Sequence, residues 1–164
     1  MCNIIDMRKF TAKSTAAAIL FLSVFLTALH AEARQPSPLP VPSECYCSEC
    51  GMSIRAEGLK FTSEVIFQSG KAAYFCDLGD LFVYYEVLKN KQDVATIYVR
   101  DYPTGDWAEA RSCSFIAGSG VATPMRYGII AFKDKAGALK FKKEKGRGDI
   151  YTFDGILASK LFKR

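Results

Sequence analysis

Three cysteines and a methionine lie within eight residues of this chain. Cys45, Cys47 and Cys50 form overlapping C-x-C and C-x-x-C motifs, and Gly51 and Met52 follow directly. Thiolates and thioethers are soft donors, which favour Cu(I) and other soft metal ions. Two close thiols can also form a reactive disulfide. The spacing therefore predicts either a soft-metal site or a redox-active thiol pair.

The first 33 residues have the pattern of a secretory signal peptide. Arg8, Lys9 and Lys13 precede an apolar run over residues 16–29, and Ala31-Glu32-Ala33 places small residues at the two positions that determine cleavage. The apolar run is too short to favour a stable membrane span. We expect a signal peptide over residues 1–33 and a mature protein in the periplasm.

Cleavage of this peptide would change the chemistry that remains. The single histidine, His30, would be lost, which excludes imidazole metal sites and Cys-His catalysis. Cys2 would also be lost, leaving five cysteines, so at least one thiol is free, metal-bound or paired between chains. Cys45 lies eleven residues past Arg34 and no lipobox precedes it, so a lipid anchor is not predicted.

Length and charge limit the possible partners. A chain of 164 residues that is 49% hydrophobic predicts one domain, or two very small ones, with a real core. The net charge of +5 is concentrated in residues 133–164, which hold ten basic and four acidic residues. Export makes nucleic acid an unexpected partner, and a solvated helix face explains this basic end.

The pattern of the first half predicts a ββαβ unit after a Pro-rich linker over residues 34–43. Strands are expected at 61–68, 72–76 and 94–100, and Asp77 is expected to cap a helix whose apolar positions follow the three/four spacing of one buried face.

The second half predicts a degenerate copy of the same unit. Extended structure is expected at 107–116 and 127–132, followed by a helix from about 134 to 145 and a strand at 149–153, with a turn at 156–162 packed on the outside. The predicted fold is α+β, with one domain over 44–164 made of two small ββαβ units, at about 44–105 and 106–164, that share a core.

Other residues could supply metal ligands in addition to the thiol loop. Met125 follows Pro124 after a Gly-rich break and is the best-placed methionine outside the loop, although an isolated methionine often only fills a core. Zinc usually takes four ligands, whereas only one C-x-x-C pair exists, and Cys76 and Cys113 are expected to be lone, inert thiols. Redox C-x-x-C pairs typically begin a helix, but residues 53–59 have no helical pattern.

Several motifs together resemble the nitrous-oxide-reductase accessory family NosL. Cys47-Ser48-Glu49-Cys50-Gly51-Met52 is similar to its C-x-x-C-G-M motif, and Tyr74-Phe75, Thr123-Pro124-Met125 and Ile130-Ala131-Phe132 extend the likeness over about residues 44–155. The family has a paired ββαβ architecture that also resembles part of the organomercurial lyase fold.

This resemblance implies a periplasmic metallochaperone without enzymatic activity or a small-molecule substrate. It would bind one Cu(I) and deliver it to a copper-accepting client enzyme, nitrous oxide reductase or a related copper enzyme, with an ABC-type assembly complex taking part. By the same resemblance, the metal ligands are Cys47, Cys50, Met52 and Met125.

Two other functions remain open from the residues. A thiol–disulfide protein would use the Cys47–Cys50 pair to keep the copper-site cysteines of a client reduced. An enzyme similar to organomercurial lyase would use paired cysteines and a nearby carboxylate such as Asp77.

Overall fold

The fold is that of a computed structural model, which describes residues 36–163. The predicted signal peptide lies outside the described residues, as do Cys2 and His30. Among residues 36–163, no helix has both the length and the apolar character needed to cross a membrane.

The first half of the described chain forms a four-stranded antiparallel sheet with one helix. Its elements are β1 (Ser63–Phe67), β2 (Ala72–Phe75), α1 (Leu78–Val87), β3 (Val94–Arg100) and β4 (Trp107–Glu109). The strand order is β2-β1-β3-β4, with Ser63 of β1 opposite both Phe75 of β2 and Val99 of β3. Short 3-10 turns at Ala56–Phe61 and Lys91–Asp93 precede β1 and β3.

The second half repeats this order with three strands and an additional helix. Its elements are β5 (Ser114–Ala117), β6 (Ile130–Phe132), α2 (Lys135–Lys145), β7 (Asp149–Tyr151) and α3 (Phe153–Ser159). The strand order is β6-β5-β7, and both pairs are antiparallel. In both halves the first strand is central, the second lies on one side and the strand after the helix lies on the other. The predicted α+β class is therefore confirmed.

The core is continuous across the two halves. Phe82 of α1 lies 5.5 Å from Phe115 of β5 and 5.1 Å from Phe153 of α3, measured between ring centroids. Helix α1 also packs against β1 and β2 through buried residues such as Leu81. Because one helix contacts elements of both halves, they share a core, as predicted.

The prediction of a single extended segment over 107–116 was wrong. This stretch divides into β4, a 3-10 turn at Ala110–Ser112, and β5, and the two strands belong to different sheets. The side chain of Glu109 accepts hydrogen bonds from the backbone N–H groups of Arg111 and Ser112, at 3.1 and 2.9 Å. These local bonds end β4 and redirect the chain, as side chain to backbone bonds commonly do at turns.

Two predictions near the C-terminus also need correction. The expected strand at 127–132 begins only at Ile130, because Arg126 and Gly128 have φ values of 61° and 64°, in the left-handed region. The expected outer turn at 156–162 overlaps a helix, α3, which runs to Ser159 and whose residues Phe153 and Ile156 are buried in the core. Phe162 is buried as well, at 1% exposure, so this segment completes the core rather than covering its outside.

The Pro-rich segment lies against the first sheet. The hydroxyl groups of Tyr98 and Tyr74 donate to the carbonyl oxygens of Pro36 and Pro40, at 2.9 and 3.2 Å. The backbone N–H of Leu39 donates to Glu64 Oε1 at 3.0 Å. Contacts from three strands therefore fix the chain just before it enters the cysteine loop.

Candidate metal centre

The cysteine motif folds into a tight loop between Cys45 and Ile54. The N–H of Ile54 donates to the carbonyl of Cys45, and the N–H of Cys47 donates to that of Met52, both at 2.8 Å. The N–H of Gly51 donates to the carbonyl of Cys47 at 2.9 Å. Gly51 has a φ of 74°, a conformation that glycine adopts without steric cost. The C-x-x-C segment is therefore a turn held by its own backbone.

This loop is bound to the edge of the first sheet. The N–H of Ser48 donates to the carbonyl oxygen of Tyr74 in β2 at 2.8 Å. Two residues after Tyr74 the chain reaches Cys76, and Asp77 then caps α1 by accepting from the N–H of Gly79 at 3.0 Å. The loop is thus placed beside the start of α1.

Three thiols and a carboxylate meet at this junction. The sulfurs of Cys47, Cys50 and Cys76 and a carboxylate oxygen of Asp80 all lie within 4.8 Å of one another. Cys50 Sγ is 3.6 Å from Cys76 Sγ, and Asp80 Oδ2 is 3.3 Å from Cys47 Sγ and 3.4 Å from Cys76 Sγ. All four residues are buried except Cys50, which is half-buried. We call this group the Cys3Asp cluster.

The groups of the cluster differ in their pKa values. The hydrogen bond from Cys76 lowers the pKa of the Cys47 thiol to about 4, and the backbone N–H groups of Glu49, Cys50 and Cys76 add to this effect. Burial raises the pKa of Cys50 to about 11. The pKa of Cys76 is raised first by its hydrogen bond to Cys47 and then by burial, and burial raises the pKa of Asp80. These directions make Cys47 the most acidic thiol of the cluster.

The two predicted methionine ligands lie on different segments. Met52 is 50% exposed and lines a cleft of about 530 Å³ together with Cys76, Phe61 and Pro124. Met125 is half-buried, and its backbone N–H donates to Asp77 Oδ2 at 2.8 Å. Their roles as ligands stay predictions.

The loop that carries Met125 lies directly over the start of α1. A Cβ atom placed on Gly79 would be only 2.0 Å from the ring of Tyr127, so a residue larger than glycine does not fit there. Gly79 therefore allows the ring of Tyr127 to pack on the helix. The hydrogen bond from Met125 to Asp77 holds the loop next to the start of α1, beside Cys76 and Asp80.

Sequence reasoning missed half of the Cys3Asp cluster. Cys76 was predicted to be a lone thiol, which was wrong, because its sulfur lies beside that of Cys50. Asp80 is not among the ligands predicted from the sequence. The carboxylate beside the thiols is Asp80, rather than the Asp77 that the lyase hypothesis named. The available signal was the position of Cys76, one residue before the predicted N-cap Asp77, together with an acidic residue four positions after that cysteine.

Cys45 and Cys113 lie outside the cluster. Both are buried, at 5% and 3% exposure. Burial raises the pKa of Cys113 to about 12, and burial, followed by the charge of Cys47, raises that of Cys45. These properties suit core thiols that stay protonated.

Comparison with known proteins places this architecture in a family. The family model described as NosL matches residues 38–161. The chain belongs to the NosL family. This match contains the cysteine loop, both sheets and all three helices, and it confirms the resemblance drawn from the motifs.

A solved member of the NosL family has the same fold. The crystal structure of the copper chaperone NosL from Shewanella denitrificans is 26% identical to this chain, with a TM-score of 0.63. The similarity covers 75% of this chain and 97% of that one. No curated protein sequence matches the chain.

Proposed function

We propose that this protein is a periplasmic metallochaperone that binds one Cu(I) and transfers it to a copper-accepting partner. Cys47 and Cys50 are the central ligands, Cys76 adds a third sulfur, and Met52 and Met125 supply thioethers during capture or release. The observation that carries the proposal is the approach of three thiols to within 4.8 Å of one another. The copper chaperone from Shewanella denitrificans supports it as a similar protein.

The donor set favours Cu(I) over other biological metals that need nitrogen ligands. The only histidine in the sequence is His30, in the predicted signal peptide, so the folded part offers no imidazole. Cu(I) is well satisfied by a small number of sulfur ligands. Binding would displace the protons of Cys50 and Cys76, as metal binding to thiols generally does.

Release would proceed by ligand exchange, without enzymatic turnover. The cleft lined by Cys76 and Met52 gives an incoming sulfur or imidazole a path to the cluster. A partner ligand would replace one protein sulfur at a time, so the ion would not be free in solution. An exposed thioether at the rim suits this exchange because it binds Cu(I) more weakly than a thiolate.

The proposed acceptor is nitrous oxide reductase, with an ABC-type membrane complex taking part in assembly. Membership of the NosL family supports this choice. Purified apo-enzyme that regains its copper from the loaded chaperone, and does so faster than from an equal concentration of Cu(I) held by a chelator, would be the expected result.

Competition titration tests the binding step. Reduced protein is titrated anaerobically with Cu(I) in the presence of a chromophoric chelator, and the Cys50→Ser variant is compared with Cys113→Ala, which removes a buried thiol outside the cluster. We expect one tightly bound Cu(I) per chain, weakened in Cys50→Ser and unchanged in Cys113→Ala. Micromolar or weaker binding that Cys50→Ser leaves unchanged would contradict the proposal.

A second candidate is a thiol–disulfide function. The distance of 3.6 Å between Cys50 Sγ and Cys76 Sγ favours it, although the sequence pointed to Cys47 with Cys50. Such a protein would show a reversible two-electron potential for Cys50 and Cys76, and a Cys50→Ser variant would trap mixed disulfides with its client. Absence of both results would exclude the thiol–disulfide function and leave the metallochaperone as the remaining candidate.

A further inference from the structure

We propose that the Cys3Asp cluster is a four-coordinate site that holds Zn²⁺ when copper is absent. The inference uses the same pocket as the proposed copper function, but it does not depend on that function. The sequence alone left zinc short of ligands, because it showed only one C-x-x-C pair. The structure supplies the missing two donors, Cys76 and Asp80.

Three of the six donor separations in the cluster are close to those of a tetrahedron around zinc, and all six are within 4.8 Å. With Zn–S bonds of about 2.3 Å and Zn–O bonds of about 2.1 Å, ideal tetrahedral angles place two sulfurs about 3.8 Å apart and a sulfur and an oxygen about 3.6 Å apart. The observed separations are 3.6 Å between Cys50 Sγ and Cys76 Sγ, and 3.3 and 3.4 Å from Asp80 Oδ2 to the sulfurs of Cys47 and Cys76. Small outward movements of the side chains would admit the ion.

The elements that carry the four donors are already fixed. The loop of Cys47 and Cys50 is held by its own backbone bonds and by the bond from Ser48 to Tyr74. Cys76 and Asp80 lie on either side of the capped start of α1. A site whose ligands are positioned before the ion arrives loses little conformational entropy on binding.

The surroundings compensate part of the negative charge. Three thiolates and a carboxylate around a divalent ion leave a net charge of −2. Asp80 lies in the first turn of α1, where the helix dipole favours negative charge.

Asp80 distinguishes the two metals. A carboxylate oxygen is an ordinary zinc ligand but a poor partner for the softer Cu(I), which is satisfied by the sulfurs alone. Cu(I) would therefore displace Zn²⁺ while Asp80 leaves the metal.

The test measures Zn²⁺ and Cu(I) binding to the same variants under anaerobic, reducing conditions. Zinc is titrated against a chromophoric chelator, and Co²⁺ serves as an optical probe of coordination geometry. Glu49→Gln is the matched control for Asp80→Asn, since Glu49 is an exposed carboxylate in the same loop and outside the cluster.

We expect one Zn²⁺ per chain and the intense visible absorption of tetrahedral, thiolate-bound Co²⁺. Asp80→Asn should lower zinc affinity by about tenfold or more, since even outer-shell changes cost about 10–100-fold in metal affinity. Cu(I) affinity of the same variant should fall much less than its zinc affinity, and circular dichroism shows whether it is folded. Glu49→Gln should bind both metals like the wild type, and adding Cu(I) to the zinc form should release one Zn²⁺ per chain.

Three results would overturn the inference. They are the absence of stoichiometric zinc binding, a six-coordinate Co²⁺ spectrum, and zinc affinity that Asp80→Asn leaves unchanged. If Asp80→Asn does not fold, the Co²⁺ spectrum of the wild type decides alone. A wild-type protein that binds Cu(I) but not Zn²⁺ refutes only this inference, whereas absence of Cu(I) binding to the wild type refutes the proposed copper function.

Discussion

The two ββαβ halves have the same frame but different side chains at its functional positions. Alignment of the helix caps Asp77 and Asp134 places Phe75 at the end of β2 opposite Phe132 at the end of β6. Both caps accept a hydrogen bond from a first-turn glycine, at 3.0 Å in α1 and 2.7 Å in α2. The strand–cap–helix junction is therefore repeated in full.

The cluster exists only in the first half. The position of Cys76 is occupied by Lys133 in the second half, and that of Asp80 by Gly137. A loop also docks on the edge strand β6, where the N–H of Tyr102 donates to the carbonyl of Ala131 as that of Ser48 does to Tyr74, both at 2.8 Å, but this loop has no cysteine. The repeated junction thus provides a position for ligands, and only in the first half do the side chains of the docked loop and of the helix start supply them.

The two helices also differ in burial. Helix α1 contacts the second half through Phe82, which is fully buried, whereas the equivalent Leu139 of α2 is 52% exposed. Ala138 is the only buried residue of α2, and five of its eleven residues are lysines. The helix that carries Asp80 is therefore the more buried of the two, which gives this donor a rigid support.

The largest expected difference between the halves is in stability. Phe82→Ala removes a ring that contacts Phe115, Phe153 and Phe162, and should lower the free energy of unfolding by about 3–5 kcal/mol. Leu139→Ala should change it by no more than about 0.5 kcal/mol. Urea denaturation of reduced protein measures both values, and similar losses in the two variants would contradict the assigned difference in burial.

The second-largest expected difference in stability is between the helix caps Asp77 and Asp134. Asp77 is buried and also accepts from the N–H of Met125, so Asp77→Ala leaves a second donor without its partner and should cost about 2–3 kcal/mol. Asp134 is exposed, and Asp134→Ala should cost about 1 kcal/mol. Equal losses in denaturant midpoint would show that the bond to Met125 contributes nothing to the fold.

The comparison can be sharpened at the cluster itself. Cys76→Ser should lower Cu(I) affinity by about tenfold or more, while Lys133→Ser, at the equivalent position of the second half, should leave it unchanged. Competition with a Cu(I) chelator under anaerobic conditions gives both affinities. A Cys76→Ser variant with wild-type affinity would remove this residue from the proposed ligands.

The smallest expected effect concerns Glu64, whose counterpart in the second half is Phe115. Burial raises the pKa of Glu64, although the N–H of Leu39 and the charge of Arg100 oppose this. A raised pKa in the folded state means that the protonated form stabilises the fold, and that this contribution is lost as pH rises through the folded-state pKa. Glu64→Gln should therefore gain stability relative to wild type between acidic and neutral pH.

Denaturation series at several pH values measure this gain. Oε1 of Glu64 accepts a hydrogen bond from Leu39, and glutamine keeps that acceptor. A difference in unfolding free energy between the two proteins that stays constant with pH, or shrinks toward neutral pH, would contradict the assignment.

Much of the first half could be predicted because its signals are local. Asp77 marks the helix start, a continuous apolar centre marks β1, and alternating apolar residues mark β3. The division of 107–116 into two strands depends on the side chain of Glu109 binding its own neighbours, which the hydrophobic pattern does not show. Helix α3 was missed because its few apolar residues resemble a turn packed on the surface.

The candidate site could be predicted only as far as its sequence is contiguous. The C-x-x-C spacing identifies Cys47 and Cys50 as candidate ligands. Cys76 joins them through a contact between distant segments, the bond from Ser48 to Tyr74, and no local pattern reports such a contact. Asp80 then follows from the helix geometry that places it beside Cys76.

X-ray absorption at the copper edge of the Cu(I)-loaded protein tests the central claim most directly. The account predicts one Cu(I) per chain in a shell of sulfur atoms, with the number of sulfurs reduced when Cys47, Cys50 or Cys76 is replaced by serine. A shell of nitrogen or oxygen atoms, or a sulfur shell that none of the three substitutions changes, would contradict it.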